Sequence, residues 1–171
     1  MGTLRLTLLR HGQAVAIDSC PEDFERVLTR RGTIEAEEMA ARIVRRDLVP
    51  DLILASPAER TWATASIVAS ACELDAKQIR CARELYLATP ETTWHLVTRR
   101  EHGASHILIC GHNPGLSQLA SRLGPQPQPR ELPTGGLVTA LWHHAHWTTL
   151  QPETAATSEL DDPENPADIW T

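Results

Sequence analysis

Leu4-Arg5-Leu6-Thr7-Leu8-Leu9-Arg10-His11-Gly12 is the stretch whose reading decides the fold. Leu4, Leu6 and Leu8 alternate with Arg5, Thr7 and Leu9, the period of a β-strand over residues 3 to 9, and the run stops at a polar Arg-His-Gly turn. In α/β proteins ligand chemistry gathers where strands end. Arg10 and His11 are therefore candidates, although three residues specify no reaction on their own.

Working outward, residues 33 to 46 place Ala36, Met39, Ala40, Ile43 and Val44 on one face, with Glu35, Glu37 and Glu38 early and Arg42, Arg45 and Arg46 late. That is an amphipathic helix whose charges complement its dipole. Leu52-Ile53-Leu54-Ala55 reads as a short buried strand. Ser56-Pro57-Ala58-Glu59 then predicts a helix start, with Ser56 as N-cap, and the inward stripe through Thr64, Ile67, Val68 and Ala71 is headed by Arg60. Residues 78 to 86 read as a short extended segment, residues 92 to 102 as a helix, and Ile107-Leu108-Ile109-Cys110 as a buried strand. That strand ends at Gly111-His112-Asn113-Pro114-Gly115, where Asn113 can cap a further helix. After a proline-rich connector, 124 to 133, residues 137–142 and 147–150 are expected to form a hairpin. Strands alternating with helices imply an α/β layered domain, its sheet largely parallel and made mixed by the hairpin.

The 171 residues suit one domain of residues 1–150, followed by an acidic tail, 151–171, expected to be poorly ordered. The tail holds six acids and no Lys or Arg, so it accounts for the net charge of −6. The body is balanced and its arginines are dispersed, which argues against a nucleic-acid partner. A hydrophobic fraction of 42%, with no apolar run of spanning length, argues against a membrane partner. Arg5 and Arg10 interrupt the first apolar stretch, so no secretory signal is expected. Cys20, Cys72, Cys81 and Cys110 follow no metal-ligand spacing, which fits a reduced, cytoplasmic protein.

Three predicted strand-to-helix junctions deliver Arg10 and His11, Arg60, and His112. Two guanidiniums converging at one place repel unless an anion lies between them, and their forks match phosphate oxygens. A neutral imidazole is a competent nucleophile toward phosphorus while other donors stabilise the equatorial oxygens, so neither a metal nor another cofactor is called for.

Leu9-Arg10-His11-Gly12, Ser56-Pro57 with Arg60, Glu84-Leu85-Tyr86, and Gly111-His112-Asn113-Pro114-Gly115-Leu116-Ser117 together resemble the histidine phosphatase superfamily, and within it the small phosphohistidine phosphatases of the SixA type. The resemblance runs from residue 3 to about 150. It implies a three-layer α/β/α sandwich of the phosphoglycerate mutase kind with no helical cap subdomain. It implies that His11 accepts the phosphoryl group, that Arg10, Arg60 and His112 form the phosphate pocket with it, and that Glu84 stands where larger relatives carry a proton donor. Gln13 and Thr61-Trp62 depart from the usual pattern without removing a catalytic group. Only residues 73 to 105 separate the Arg60 helix from the next strand, so the pocket is expected to be open, as suits a phosphorylated protein side chain. A small phosphate ester as substrate, and a non-catalytic phosphoprotein-binding module, stand as the alternatives.

His143, His144 and His146 sit on the expected hairpin turn, where three histidines rarely reach one ion with fixed geometry. His95, His102 and His106 are expected at the surface. Trp94, Trp142, Trp147 and Trp170 are expected as core or tail contacts.

Overall fold

The alternation in the first strand distributes its side chains to two cores. Leu6 and Leu8 enter one and Leu9 the other, all fully buried. A computed structural model describes residues 2–99, 103–126, 128–143 and 146–164. Its strands are β1 (Leu4–Arg10), β2 (Leu52–Ala55), β3 (Ile79–Cys81), β4 (His106–Gly111), β5 (Leu137–Trp142) and β6 (Thr157–Asp161). They form one sheet in the order β3-β2-β4-β1-β5-β6. β3, β2, β4 and β1 run parallel, whereas β5 is antiparallel to both β1 and β6.

Helices α1 (Arg30–Arg45) and α2 (Glu59–Ala71) cover one face with Met39, Ile43, Ala65 and Val68. Helices α3 (Pro90–Val97) and α4 (Gly115–Ala120) cover the other with Leu96, Val97, Leu116 and Leu119. The result is the expected three-layer sandwich. Among the described residues, the segment from α2 to β4 holds only β3, two 3-10 turns and the eight-residue α3.

Several local expectations change. α1 begins earlier than residue 33, because the Thr29 side chain accepts from the Gly32 amide and caps it. Val44 falls outside its buried face. α2 begins at Glu59 with Ala58 at the cap position, so the Ser56 capping box does not form. The Ser56 hydroxyl lies 2.8 Å from a His112 ring nitrogen instead. α3 is capped by Thr89 and starts with Pro90.

The expected hairpin is replaced. Residues 147–149 form a 3-10 turn, with Trp147 Nε1 donating to the Ala104 carbonyl at 2.6 Å. The partner of β5 is β6, which lies in the stretch read as a tail, with Leu137 opposite Asp161 and Thr139 opposite Glu159. Its acidic composition hid it: buried Asp161 accepts from Arg42 Nη1 at 2.8 Å and from Arg46, and Arg42 also reaches the carbonyls of Asp162 and Pro163. Residues 165–171, with Trp170, lie outside the described residues. His106 is buried rather than at the surface, its Nε2 2.9 Å from Thr7 Oγ1, because it opens a central strand.

Candidate active site

The strand order β2-β4-β1 brings three carboxyl-terminal strand ends together, and each hands over one piece of the predicted site. His11 follows β1, Arg60 lies in the first turn of α2 after β2, and His112 follows β4. They line a pocket of about 410 Å³ with Arg10, joined by Gln13, Asp23, Arg26, Leu87, Asn113 and Thr134.

The loop after β1 is fixed from several sides. The Gly12 amide donates to Thr64 Oγ1 at 3.1 Å, and the Gln13 amide donates to Glu35 Oε2 at 2.8 Å. A Cβ at residue 12 would fall 2.2 Å from the Gly32 carbonyl oxygen, so this approach of the loop to α1 requires glycine. His11, 8% exposed, donates from Nδ1 to the Gly12 carbonyl at 2.7 Å, since a carbonyl can only accept. This leaves the Nε2 lone pair toward Arg60, whose Nε lies 3.2 Å away. Burial pulls the His11 pKa down to about 4, with the Gly12 hydrogen bond opposing and the neighbouring Arg60, Arg10 and Arg26 assisting. The ring is neutral at neutral pH.

His112 has Nε2 held by Ser56 Oγ at 2.8 Å and Thr61 Oγ1 at 3.3 Å, and Nδ1 3.3 Å from Arg60 Nη2. Burial, then His11 and Arg60, pull its pKa down to about 3. Arg10 donates from Nη1 to the Leu132 carbonyl at 2.8 Å, while its buried Nε has no hydrogen-bond partner. An unpartnered buried donor beside a pocket is what an incoming anion would satisfy.

Asp23 completes the wall. Its carboxylate accepts from Arg60 Nη2 at 2.8 Å, Arg26 Nη1 at 2.9 Å and the Tyr86 hydroxyl at 2.9 Å. Partial burial works against ionisation, but these hydrogen bonds outweigh it and hold the carboxyl below the usual carboxylate range. Asp23, Arg26 and Tyr86 were missed in the sequence. The first two lie in a segment read as loop, where an acid and an arginine three residues apart were the available signal.

Glu84 is not brought to the pocket. It sits on the 3-10 turn Arg83–Leu85, about half exposed, 3.6 Å from Arg99, beside a separate cavity lined by Arg80 and Cys81. The turn buries Leu85 and directs Tyr86 at Asp23, which leaves Glu84 on the other side. His102 and His144 lie outside the described residues, and His95 is exposed. Trp142 and Trp147 are buried, with Trp94 packed against that core.

The model of the histidine phosphatase superfamily (branch 1) matches residues 6–102. No curated protein sequence matches the chain. Among solved structures, one assigned as the phosphohistidine phosphatase SixA of Nakamurella multipartitia is similar with TM-score 0.80 and 22% identity, over 98% of each chain. Another, assigned as SixA of Agrobacterium tumefaciens, gives 0.71 and 28%, covering 83% of this chain and 96% of that one. A structure assigned as an alpha-ribazole-5'-P phosphatase of Escherichia coli gives 0.63 and 20%, covering 93% and 95%.

Proposed function

The chain belongs to the histidine phosphatase superfamily, and from that premise we propose that it removes phosphate from phosphohistidine in a protein, through a covalent phosphoryl intermediate on His11. Membership makes it a phosphatase with a phosphorylated substrate. The finer reading rests on one observation: the pocket holds two neutral histidines and three arginines, but the carboxyl group among its lining residues, Asp23, is held ionised by its hydrogen bonds. An ester leaves as an alkoxide and needs a proton donor. The imidazole of phosphohistidine takes its proton on the far nitrogen in the ordinary imidazole range and leaves neutral.

In the first step the His11 Nε2 lone pair forms a bond to phosphorus as the substrate P–N bond breaks, and that electron pair returns to the departing imidazole. In the second, a water oxygen bonds to phosphorus, the P–Nε2 pair returns to His11, and the water proton leaves on inorganic phosphate. The Gly12 carbonyl keeps the proton of His11 on Nδ1, so that Nε2 is the unprotonated nitrogen, which turns from Arg60 Nε to phosphorus when the phosphoryl group enters. Arg10 and Arg60 neutralise the phosphoryl oxygens, and His112, held at Nε2 by Ser56 and Thr61, accepts at Nδ1 from Arg60 Nη2 and so positions that guanidinium. This charge set requires no metal ion.

Quenching turnover of a phosphohistidine peptide tests the reading. Wild type is expected to carry acid-labile phosphate that is absent from His11→Ala, with turnover persisting in a chelator. Acid-stable label, or wild-type activity in His11→Ala, overturns the mechanism. Faster turnover of one sugar phosphate or nucleotide than of the peptide overturns the substrate in favour of a small phosphate ester.

A further inference from the structure

The chain contains a single phenylalanine and a single tyrosine, and the structure places them together beside the catalytic pocket. Phe24 and Tyr86 meet edge to face with ring centroids 5.2 Å apart. Tyr86 meets His112 at 5.5 Å and His112 meets His11 at 5.4 Å, so four rings form a continuous ladder ending at the nucleophile. At its far end lies a second cleft of about 300 Å³, lined by Phe24, Pro57, Tyr86 and Arg83. The first three are half-buried and Arg83 is exposed. Among the described residues the Arg83 guanidinium faces no carboxylate, since the neighbouring Glu84 turns to Arg99.

A cleft of this size is at the small end of ligand pockets, and two aromatic rings and a proline make walls that gain by covering an apolar group. Tyr86 is common to both sites. It walls the cleft, while its hydroxyl donates to Asp23 and its ring meets His112 in the catalytic pocket. The three ring steps from Phe24 to His11, each of 5.2 to 5.5 Å, lie within the reach of the phosphohistidine side chain together with two or three extended residues. One stretch of polypeptide can therefore fill the cleft while its phosphohistidine sits over His11.

Resting on the phosphohistidine reading, we propose that this cleft is a recognition subsite for the protein substrate. It takes an apolar side chain two or three residues from the phosphohistidine, and Arg83 meets an acidic side chain next to it. The catalytic pocket supplies affinity for phosphate, which every phosphoprotein carries, and the Phe24–Tyr86 cleft supplies discrimination between them.

Three probes test this: phosphoimidazole, a phosphohistidine peptide with a Leu-Glu pair two and three residues away on either side, and the same peptide with Gly-Ser there. Wild type is expected to favour the Leu-Glu peptide by roughly tenfold in kcat/KM, through KM, on the scale of burying one apolar side chain. Phe24→Ala and Arg83→Glu should each erode that preference while keeping phosphoimidazole turnover within about twofold, and Phe24→Leu should retain most of it. Arg83→Glu alters an exposed side chain, so it reads recognition even if Phe24→Ala folds poorly. Equal wild-type turnover of the two peptides overturns the subsite, as does a loss in both variants as large on phosphoimidazole as on the Leu-Glu peptide. A wild type inactive on phosphoimidazole and both peptides overturns the phosphohistidine reading, and the subsite with it.

Discussion

Arg60 with Asp23 and Arg42 with Asp161 are the same chemical pair in two parts of the sheet, yet they do opposite work. Arg42 is closed: Nε donates to Glu38, Nη1 to Asp161 and the Asp162 carbonyl, and Nη2 to the Pro163 carbonyl. The pair is almost wholly covered, with side-chain exposures of 7% and 4%. It fastens β6 to α1. Around Arg60 the charges are left open: Asp23 is 26% exposed, Arg26 reaches into the same pocket, and the Arg10 Nε has no partner. Arg60 is matched at each nitrogen as well, but by Asp23 and by two pocket histidines. The donor left over beside it belongs to Arg10, which is what an incoming anion would satisfy. The partners of Arg42 outside its own helix hold β6 and the segment after it to α1.

The sharpest way to break this contrast is to exchange the readouts. Arg60→Ala is expected to slow turnover of a phosphohistidine peptide by roughly 10² to 10³, the scale of removing one donor that stabilises developing charge. A loss below about tenfold would mean that Arg60 does not meet the phosphoryl group. Arg42→Ala should cost about 3 kcal/mol in denaturant unfolding, the low end for breaking a buried ion pair because Arg46 still faces Asp161. Its kcat should stay within about twofold once the protein is folded, and a kcat loss matching that of Arg60→Ala would erase the distinction.

Acid acts on the buried histidines. Unfolded imidazoles titrate near 6.5, while His11 and His106 are held down to about 4 and His112 to about 3 by burial. Between those values the unfolded chain binds more protons than the folded one. The stability these groups contribute is therefore fully present above about pH 6.5 and is lost as pH falls toward 4. Calorimetry should show the thermal midpoint declining across that window. A flat profile would mean that the histidines are solvated. The smallest effect expected is that of Glu84→Gln, under about twofold in kcat/KM, because its carboxylate faces Arg99 outside the pocket. A tenfold loss would return Glu84 to the reaction.

Much of the parallel part of the fold was legible because strand and helix periods are local. Leu6 and Leu8 against Leu9, and the stripe of Met39 and Ile43, are short-range patterns that name their own faces. The strand ends also identified Arg10, His11, Arg60 and His112, since a charged or imidazole side chain closing an apolar run has few structural uses. Local signals misled where one side chain had two possible partners. Ser56 fits a helix cap by spacing, but its hydroxyl faces His112.

By itself the sequence determined the layered architecture and which residues, Arg10, His11, Arg60 and His112, close the strands as candidates for the site, because each rests on residue type at a fixed local spacing. Only the tertiary structure decided that Asp23 and Arg26 join the pocket with Tyr86 bonded to Asp23 behind them, that Glu84 does not, and that an acidic stretch becomes the edge strand β6. Those outcomes depend on ion pairs and hydrogen bonds between residues far apart in the chain, such as Arg60 with Asp23 and Arg42 with Asp161. Charge alone does not choose among many possible partners; the packed backbone does, by bringing one of them within about 3 Å.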